Sequence, residues 1–371
     1  MLNKKSHSTA TITWITYPNF GTYLQAYALQ QYIISLGYDN SIIDDATIIE
    51  SYSLGKDTWK QKLKIKIKLL SKSFRELQRA QKISFASYNK FKREYLFIDY
   101  NTLPLSFLDT RYNTYICGSD QIWNPFSLGY PNSSFFYADF TYKKKIAYAP
   151  SIGVSQIPQK YERRFADLIS NFRFLSAREE QGRNIMSKLT KKEIVKVVDP
   201  TLLLCQNDWN ELLKTNSDSE PYVLVYLLTP NNKYLNAAKS FAHQHGLPLK
   251  IVFLHSGYYS EADELILGGP IEFLQAINNA SYLFTDSFHG SIFASIFHVQ
   301  FVTFRRFQNV ATSQNSRIEN LLSMMNIPER LIGEDDLCRI AHLNPIDFVQ
   351  LENSISPFIL KSKQYLSTAL A

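Results

Sequence analysis

The sequence predicts an α/β protein with two parallel-sheet domains and a cleft between them. Three observations carry that expectation. Apolar residues make up 45% of the 371 positions and charged residues 20%, a globular composition with chain enough for two or three domains. Short β-branched runs alternate with helical spacings, the rhythm of βαβ units. A stretch at 215–220, made only of Thr, Asn, Ser, Asp and Glu and followed by Pro221, divides that rhythm into two sets and reads as part of a linker.

The elements follow in order. Residues 9–16 alternate as a strand, and Tyr17-Pro18-Asn19-Phe20-Gly21 is a turn. Residues 23–36 carry apolar side chains at helical spacing and stop at Gly37. A strand at 41–44 follows. Residues 56–95 break the pattern as a lysine-crowded helical insertion. Strands at 115–117 and 145–149, a helix at 158–170 opened by Pro158, a strand at 172–177, a helix at 179–189 and a strand at 194–198 complete the first set. The second set has strands at 222–228, 249–254, 281–284 and 301–304, with helices at 232–245, 271–279, 290–297 and 316–325. The expected division is 1–205, 206–335 and a C-terminal helical segment at 336–371.

Several function classes drop out. The net charge of +7, from 40 basic and 33 acidic residues, suits acidic small molecules or an anionic surface and is too weak to argue for nucleic acid. Cys117, Cys205 and Cys338 are scattered, so they read as buried free thiols in a reducing compartment, without a disulfide framework or a zinc site. His243 and His245 lie two apart on a helix, a poor metal pair. The N-terminal stretch is too short and too Thr-rich for a signal sequence, and no run of 18 apolar residues spans a membrane. A cytoplasmic protein is expected. There is no GxGxxG and no GxxxxGK[ST], which argues against dinucleotides and P-loop nucleotides.

Ligands of open α/β sheets sit beyond the carboxyl ends of strands, so the loops there are the candidates. Asn19-Phe20-Gly21-Thr22 opens a helix with Gln25 one turn on. It is either an anion- or oxygen-binding helix start or a plain tight turn. Gly118-Ser119-Asp120-Gln121-Ile122-Trp123-Asn124 places polar side chains beside a large aromatic, as sugar sites do, or forms a loop stitched by its own Asp and Asn. Arg178, at a strand end, suits a carboxylate or phosphate, or pairs with Glu179 or Glu180. Thr285-Asp286-Ser287-Phe288-His289-Gly290-Ser291 runs from a strand into a donor-rich helix start. Arg305 and Arg306 follow the next strand, as an anion clamp or a solvated pair, and Arg317 opens the helix after it.

At these residues the chain resembles the polysaccharide pyruvyl transferase family. The matching pieces are Asn19 to Gln30, Cys117 to Asn124, Ala147 to Gly153, Ser176 to Glu179, Val198 to Leu203 and Asp286 to Gly290, in that order. The resemblance implies two Rossmann-like domains in a GT-B-like arrangement. It also implies transfer of the pyruvyl group of phosphoenolpyruvate onto two hydroxyls of a glycan sugar, giving a cyclic ketal, with no cofactor and no metal. His289 and Arg178 match family positions linked to the donor. Where some members carry an arginine two residues before the histidine, this chain has Ser287, so Arg178, Arg305 or Arg306 is expected to supply the cation.

The chemistry needs a general acid near neutral pH, which His289 suits, and an acceptor of hydroxyl protons, for which Asp120 and Asp286 are candidates. Donor contacts are expected from Arg178, Ser287, Arg305 and Arg306. Acceptor contacts are expected from Asn19, Gln25, Gln121, Trp123 and Asn124. The expected partner is a glycan or lipid-linked oligosaccharide. The basic segment from Lys56 to Arg93, with Trp59 and interleaved aliphatics, suits either an anionic membrane surface or a solvated helical hairpin. The rival activities are a GT-B glycosyltransferase using a sugar nucleotide and a non-catalytic glycan-binding relative.

Overall fold

The computed structural model describes residues 8–53, 72–101, 104–214, 220–254, 261–306 and 315–371. The first sheet is parallel, in the order β3-β2-β1-β4-β5. Its strands are β1 (Ser8–Ile12), β2 (Asp39–Ile43), β3 (Ile98–Asp99), β4 (Thr114–Cys117) and β5 (Lys144–Ala147). A parallel pair, β6 (Leu175–Ala177) and β7 (Ile194–Lys196), continues it past β5 through a bridge between Ile146 and Phe174. Helices α1 (Phe20–Ser35), α2 (Ala46–Ser53), α3 (Lys72–Tyr95), α4 (Gln159–Ser170), α5 (Glu180–Leu189) and α6 (Gln206–Leu213) belong to this half.

The second sheet is parallel in the order β10-β9-β8-β11-β12-β13. Its strands are β8 (Val223–Tyr226), β9 (Leu249–Val252), β10 (Glu264–Ile266), β11 (Tyr282–Thr285), β12 (Gln300–Phe304) and β13 (Leu331–Ile332). Its helices are α7 (Asn232–Gln244), α8 (Pro270–Asn278), α9 (Phe288–Ile296) and α10 (Asn315–Met324). Both sheets are Rossmann-like. In each, the first strand of the set lies between neighbours reached by opposite crossovers, which makes a topological switch point between β1 and β4 and between β8 and β11.

The halves share an apolar core that runs from α1 into α8 and α9. Phe20 stacks on Phe273 with centroids 4.5 Å apart, and Trp209 meets Phe293 edge-on at 4.9 Å. Burial of such rings outside water supplies the main attraction between the halves. Helix α11 (Phe348–Leu370) starts on the second half, where Phe348 stacks on His298, and ends on the first. There the Ser362 hydroxyl accepts from the Val198 N–H at 2.9 Å and the Tyr365 hydroxyl donates to the Ala147 carbonyl at 2.8 Å.

One sequence expectation changes. Cys117 is buried, but Cys205 and Cys338 are exposed, because they stand at the start of α6 and on a surface 3-10 turn. Of the basic insertion, residues 56–71 lie outside the described residues. On α3, Ala80, Tyr88 and Phe91 face inward while Lys82, Lys90 and Arg93 are exposed. Among the described residues no helix is long and apolar enough to cross a membrane.

Candidate active site

The carboxyl ends of β1 and β4 face those of β8 and β11 across a cleft of about 400 Å³. From the first half, Trp14, Tyr17, Asn19, Thr22, Asp120 and Gln121 line it. From the second, Asp286, Ser287, Phe288, His289, Arg306 and Arg317 do so. Both switch points therefore open into one space.

The first-half wall is built by local hydrogen bonds. Asn19 caps α1, its Oδ1 accepting from the Thr22 N–H at 3.2 Å. After β4 the chain turns at Gly118, whose φ is +134° and where a Cβ would stand 1.9 Å from the Tyr148 carbonyl oxygen, so only glycine fits. Asp120 then projects into the cleft. Its Oδ2 accepts from the Thr22 hydroxyl at 2.7 Å and its Oδ1 from the Gln121 N–H at 2.8 Å. Gln25 is wholly buried behind this wall. It donates to Thr13 Oγ1 and the Thr22 carbonyl, both at 2.9 Å, and accepts from the Ser119 N–H at 3.1 Å, so it stitches the two loops together and does not face the cleft.

Trp123 is also a correction. It is fully buried, donates through Nε1 to the Phe136 carbonyl at 3.0 Å and stacks on Tyr137 with centroids 5.1 Å apart. The 3-10 turn Gln121–Trp123 rotates the ring into the core, so it offers no face to a sugar. Asn124 does not line the cleft either, because its Oδ1 caps the next 3-10 turn through the Phe126 N–H at 3.1 Å.

The second-half wall starts at Ser287, the N-cap of α9, whose Oγ accepts from the Gly290 N–H at 3.2 Å. Asp286 accepts from the Leu228 and Thr229 N–H groups at 2.6 and 3.0 Å, one on each oxygen, and so holds the β8 loop. Burial raises its pKa against those bonds and Arg306. His289 follows in the first turn of α9. Its ring lies against α1 of the other half, so closely that a Cβ at Gly21 would stand 1.9 Å from Nδ1. Glycine at 21 is thus required by the histidine. The His289 Nε2 is buried, 3.4 Å from Asp199 Oδ2, and Nδ1 lies against Gly21, with the residue forming part of the cleft lining.

Asp199 is the site residue that the loop-by-loop sequence argument missed, although it lies inside one of the motifs quoted. It is buried on the chain between β7 and α6. Its Oδ1 accepts from the Thr201 hydroxyl and N–H, at 2.7 and 3.1 Å, and its Oδ2 is shared by Arg178 and His289. Burial opposes its charge, but His289, Arg178 and Thr201 hold its pKa well below the usual carboxylate range.

Arg178 is 2% exposed and does not line the cleft. Its Nη1 donates to Asp199 at 2.7 Å, with Glu179 at 3.7 Å and Asp120 at 3.9 Å, and its guanidinium lies 4.7 Å from the Phe288 ring centroid. Its main pairing is with Asp199, a residue that the sequence reading did not consider. Burial works against its charge, and the three carboxylates more than offset that, so its pKa rises. Arg305 is outside the cleft, paired with Glu319 at 2.5 Å. Arg306 reaches it, donating from Nε to Thr229 Oγ1 at 2.9 Å. Arg317 also reaches it, and burial and the neighbouring Arg178 charge push its pKa down to about 10. An anion between Arg306 and Arg317 would relieve that crowding. Among the described residues no group of three His, Cys, Asp or Glu side chains is placed to hold a metal ion.

A family model for polysaccharide pyruvyl transferase matches residues 19–306, from the α1 cap to Arg306. The chain belongs to the polysaccharide pyruvyl transferase family. The match takes in Asn19, Asp120, Arg178, Asp199, Ser287, His289 and Arg306, so it reaches both walls of the cleft, while Trp14, Tyr17 and Arg317 lie outside it. No curated protein shows a match to the chain. Among solved structures, the S. aureus MnaA–UDP complex aligns over 94% of this chain and 90% of its own, at 10% identity with a TM-score of 0.50. A UDP-GlcNAc 2-epimerase from Methanocaldococcus jannaschii aligns over 91% of each chain at 11% identity, TM-score 0.48. E. coli heptosyltransferase WaaC with ADP covers 95% of this chain and 99% of its own at 10% identity, TM-score 0.41. At such identities the likeness is one of fold. The chain has two Rossmann-like domains in a GT-B-like arrangement.

Proposed function

We propose that the cleft transfers the pyruvyl group of phosphoenolpyruvate onto two hydroxyls of one sugar in a glycan acceptor. The observation that carries this reading is His289, backed by Asp199 and flanked by Arg306 and Arg317, facing a hydroxyl-binding wall in a member of this family. Phosphoenolpyruvate carries a carboxylate and a phosphate, and two arginines at the cleft suit those groups. Arg178 serves from behind, fixing Asp199, and Asp199 fixes the His289 ring.

The atoms balance as follows. Protonated His289 gives a proton to the methylene carbon, which becomes a methyl group, and the central carbon becomes electrophilic. A sugar hydroxyl forms a C–O bond there, and its proton restores His289 through Asp120 or solvent. The neighbouring hydroxyl forms the second C–O bond as the phosphate C–O bond breaks, and its proton leaves with the phosphate. The products are the cyclic ketal and inorganic phosphate. Asp120, Asn19 and Gln121 orient the hydroxyl pair, and much of the rate comes from that positioning.

The test is release of inorganic phosphate from phosphoenolpyruvate in a pool of glycans, with mass spectrometry of the glycan for a gain of the pyruvyl ketal. Release of a nucleotide from sugar nucleotides instead would make the chain a glycosyltransferase. Glycan binding with neither release would make it a non-catalytic relative.

A further inference from the structure

We propose that a groove along α3 is a second glycan subsite, which holds the sugar residues flanking the modified one, so that the acceptor is an oligosaccharide. The inference rests on the glycan reading above and adds the length of the substrate. The groove, about 830 Å³, lies beside the catalytic cleft and shares Tyr17, Pro18 and Leu254 with it. A chain seated in one continues into the other.

The lining has the chemistry of a sugar site. Gln78, Gln81, Phe85 and Asn89 of α3 line the groove, and steps of three, four and four residues put them on one helix face. Over that face the helix rises about 16 Å, longer than one sugar ring. Phe85 and Tyr17 are 61% and 62% exposed, large rings left open to solvent. Aromatic faces for the apolar side of a pyranose, with amides for its hydroxyls, are what carbohydrate recognition requires. A polyisoprenoid tail would want aliphatic walls, and the amides at 78, 81 and 89 would lie unpaired against it.

The groove is also a built feature. Tyr88 stacks on Phe20 at 5.4 Å, and Phe20 stacks on Phe273, so its floor is a ring stack that joins α3, α1 and α8. Gly269, just before α8, admits α3 so closely that a Cβ there would stand 2.8 Å from the Ser87 Cβ. The insertion is thus seated on the second half and carries the groove across the domain boundary.

The test measures binding of the full chain to a defined array of mono- to hexasaccharides, for wild type, Phe85→Ala and Gln81→Ala. Phosphate release from phosphoenolpyruvate is followed separately. The expected result is a trisaccharide or longer glycan bound at least about tenfold more tightly than its mono- and disaccharide fragments. Phe85→Ala should lose about five- to tenfold on the longer glycan alone, the scale of one aromatic contact. Equal binding of short and long glycans, no glycan bound, or no effect of either substitution overturns the proposal. A polyprenyl phosphate whose binding Phe85→Ala weakens, with glycans unaffected, overturns it in favour of a lipid tail. Length-dependent binding without phosphate release supports the groove and overturns the pyruvyl reading, so the two fail separately.

Discussion

The two walls of the cleft stand at equivalent switch points of sheets with the same strand order, yet they carry opposite chemistry. The first-half wall presents Asn19, Thr22, Gln121 and one carboxylate, Asp120. The second presents His289, Arg306 and Arg317. The strands deliver backbone to the same places, and the residues in the first turn after each strand decide what the wall binds. A wall of amides and hydroxyls suits a polyol, and a wall of guanidinium groups suits an anion. One contact between the walls is the His289 ring resting on Gly21.

The largest expected effect tests whether Arg178 belongs to the anion-binding wall or to the frame behind it. Arg178→Ala leaves Asp199 buried without its guanidinium partner, and should cost about 3–5 kcal/mol of stability, read by chemical denaturation. Near wild-type stability with only a raised donor constant would return Arg178 to the ligand. Next in size, His289→Ala should lower turnover by about 10²-fold or more with the fold intact. Gly21→Ala should reproduce part of that loss from the opposite wall, because its methyl group displaces the ring. If Gly21→Ala turns over like wild type, the contact between the walls does not matter to the chemistry. Smaller again, Arg317→Ala should raise the apparent donor constant about tenfold or more, as expected from losing about 1.5–3 kcal/mol of charge-assisted bonding, and leave the acceptor constant alone. An equal rise in both constants would dissolve the division between the walls.

Much of the frame was legible, because a period of two or of 3.6 is a local property. The helix expected at 316–325 is observed at Asn315–Met324, and the strand at 301–304 at Gln300–Phe304. The edge strands β3 and β13, two residues each, are too short to show a period. The site was legible in part. Asn19, Asp120, Gln121, Ser287, His289 and Arg306 are brought to the cleft. Trp123 was misread because what buries it, Tyr137, Phe165 and Phe172, lies up to 49 residues away in sequence. Arg178 and Asp199 are 21 residues apart and meet only because β6 and β7 are neighbours. Arg305 and Arg306 could have been separated in advance. Successive residues at a strand end point to opposite sides, so one reaches the cleft and the other Glu319.

The smallest effect concerns the frames of the two walls and a pair of buried carboxylates. Asp199 is held down by Arg178, His289 and Thr201. Asp45, wholly buried, supports the loop of the first wall by accepting from the Thr16 hydroxyl at 2.7 Å and the Ile15 N–H at 3.4 Å. Burial pushes its pKa up to about 6, against the hydrogen bonds of Thr16 and Ile15 and the charge of Lys92. The sign follows from linkage. A carboxyl whose folded pKa lies above its unfolded value of about 3.9 binds more protons in the folded state between those two values. Its contribution is full below about pH 4 and is lost as the pH rises through about 6. Asp45→Asn keeps an acceptor oxygen for Ile15 and Thr16 and cannot ionise. Relative to wild type, the variant should therefore gain on the order of 1–2 kcal/mol between pH 4.5 and pH 7.5. Asp199→Asn should show no such gain, because Asp199 is already ionised across that range. Denaturation of both variants at the two pH values checks the contrast. If the Asp45→Asn difference does not change with pH, the loop of the first wall rests on an ionised carboxylate, and the two frames are electrostatically alike.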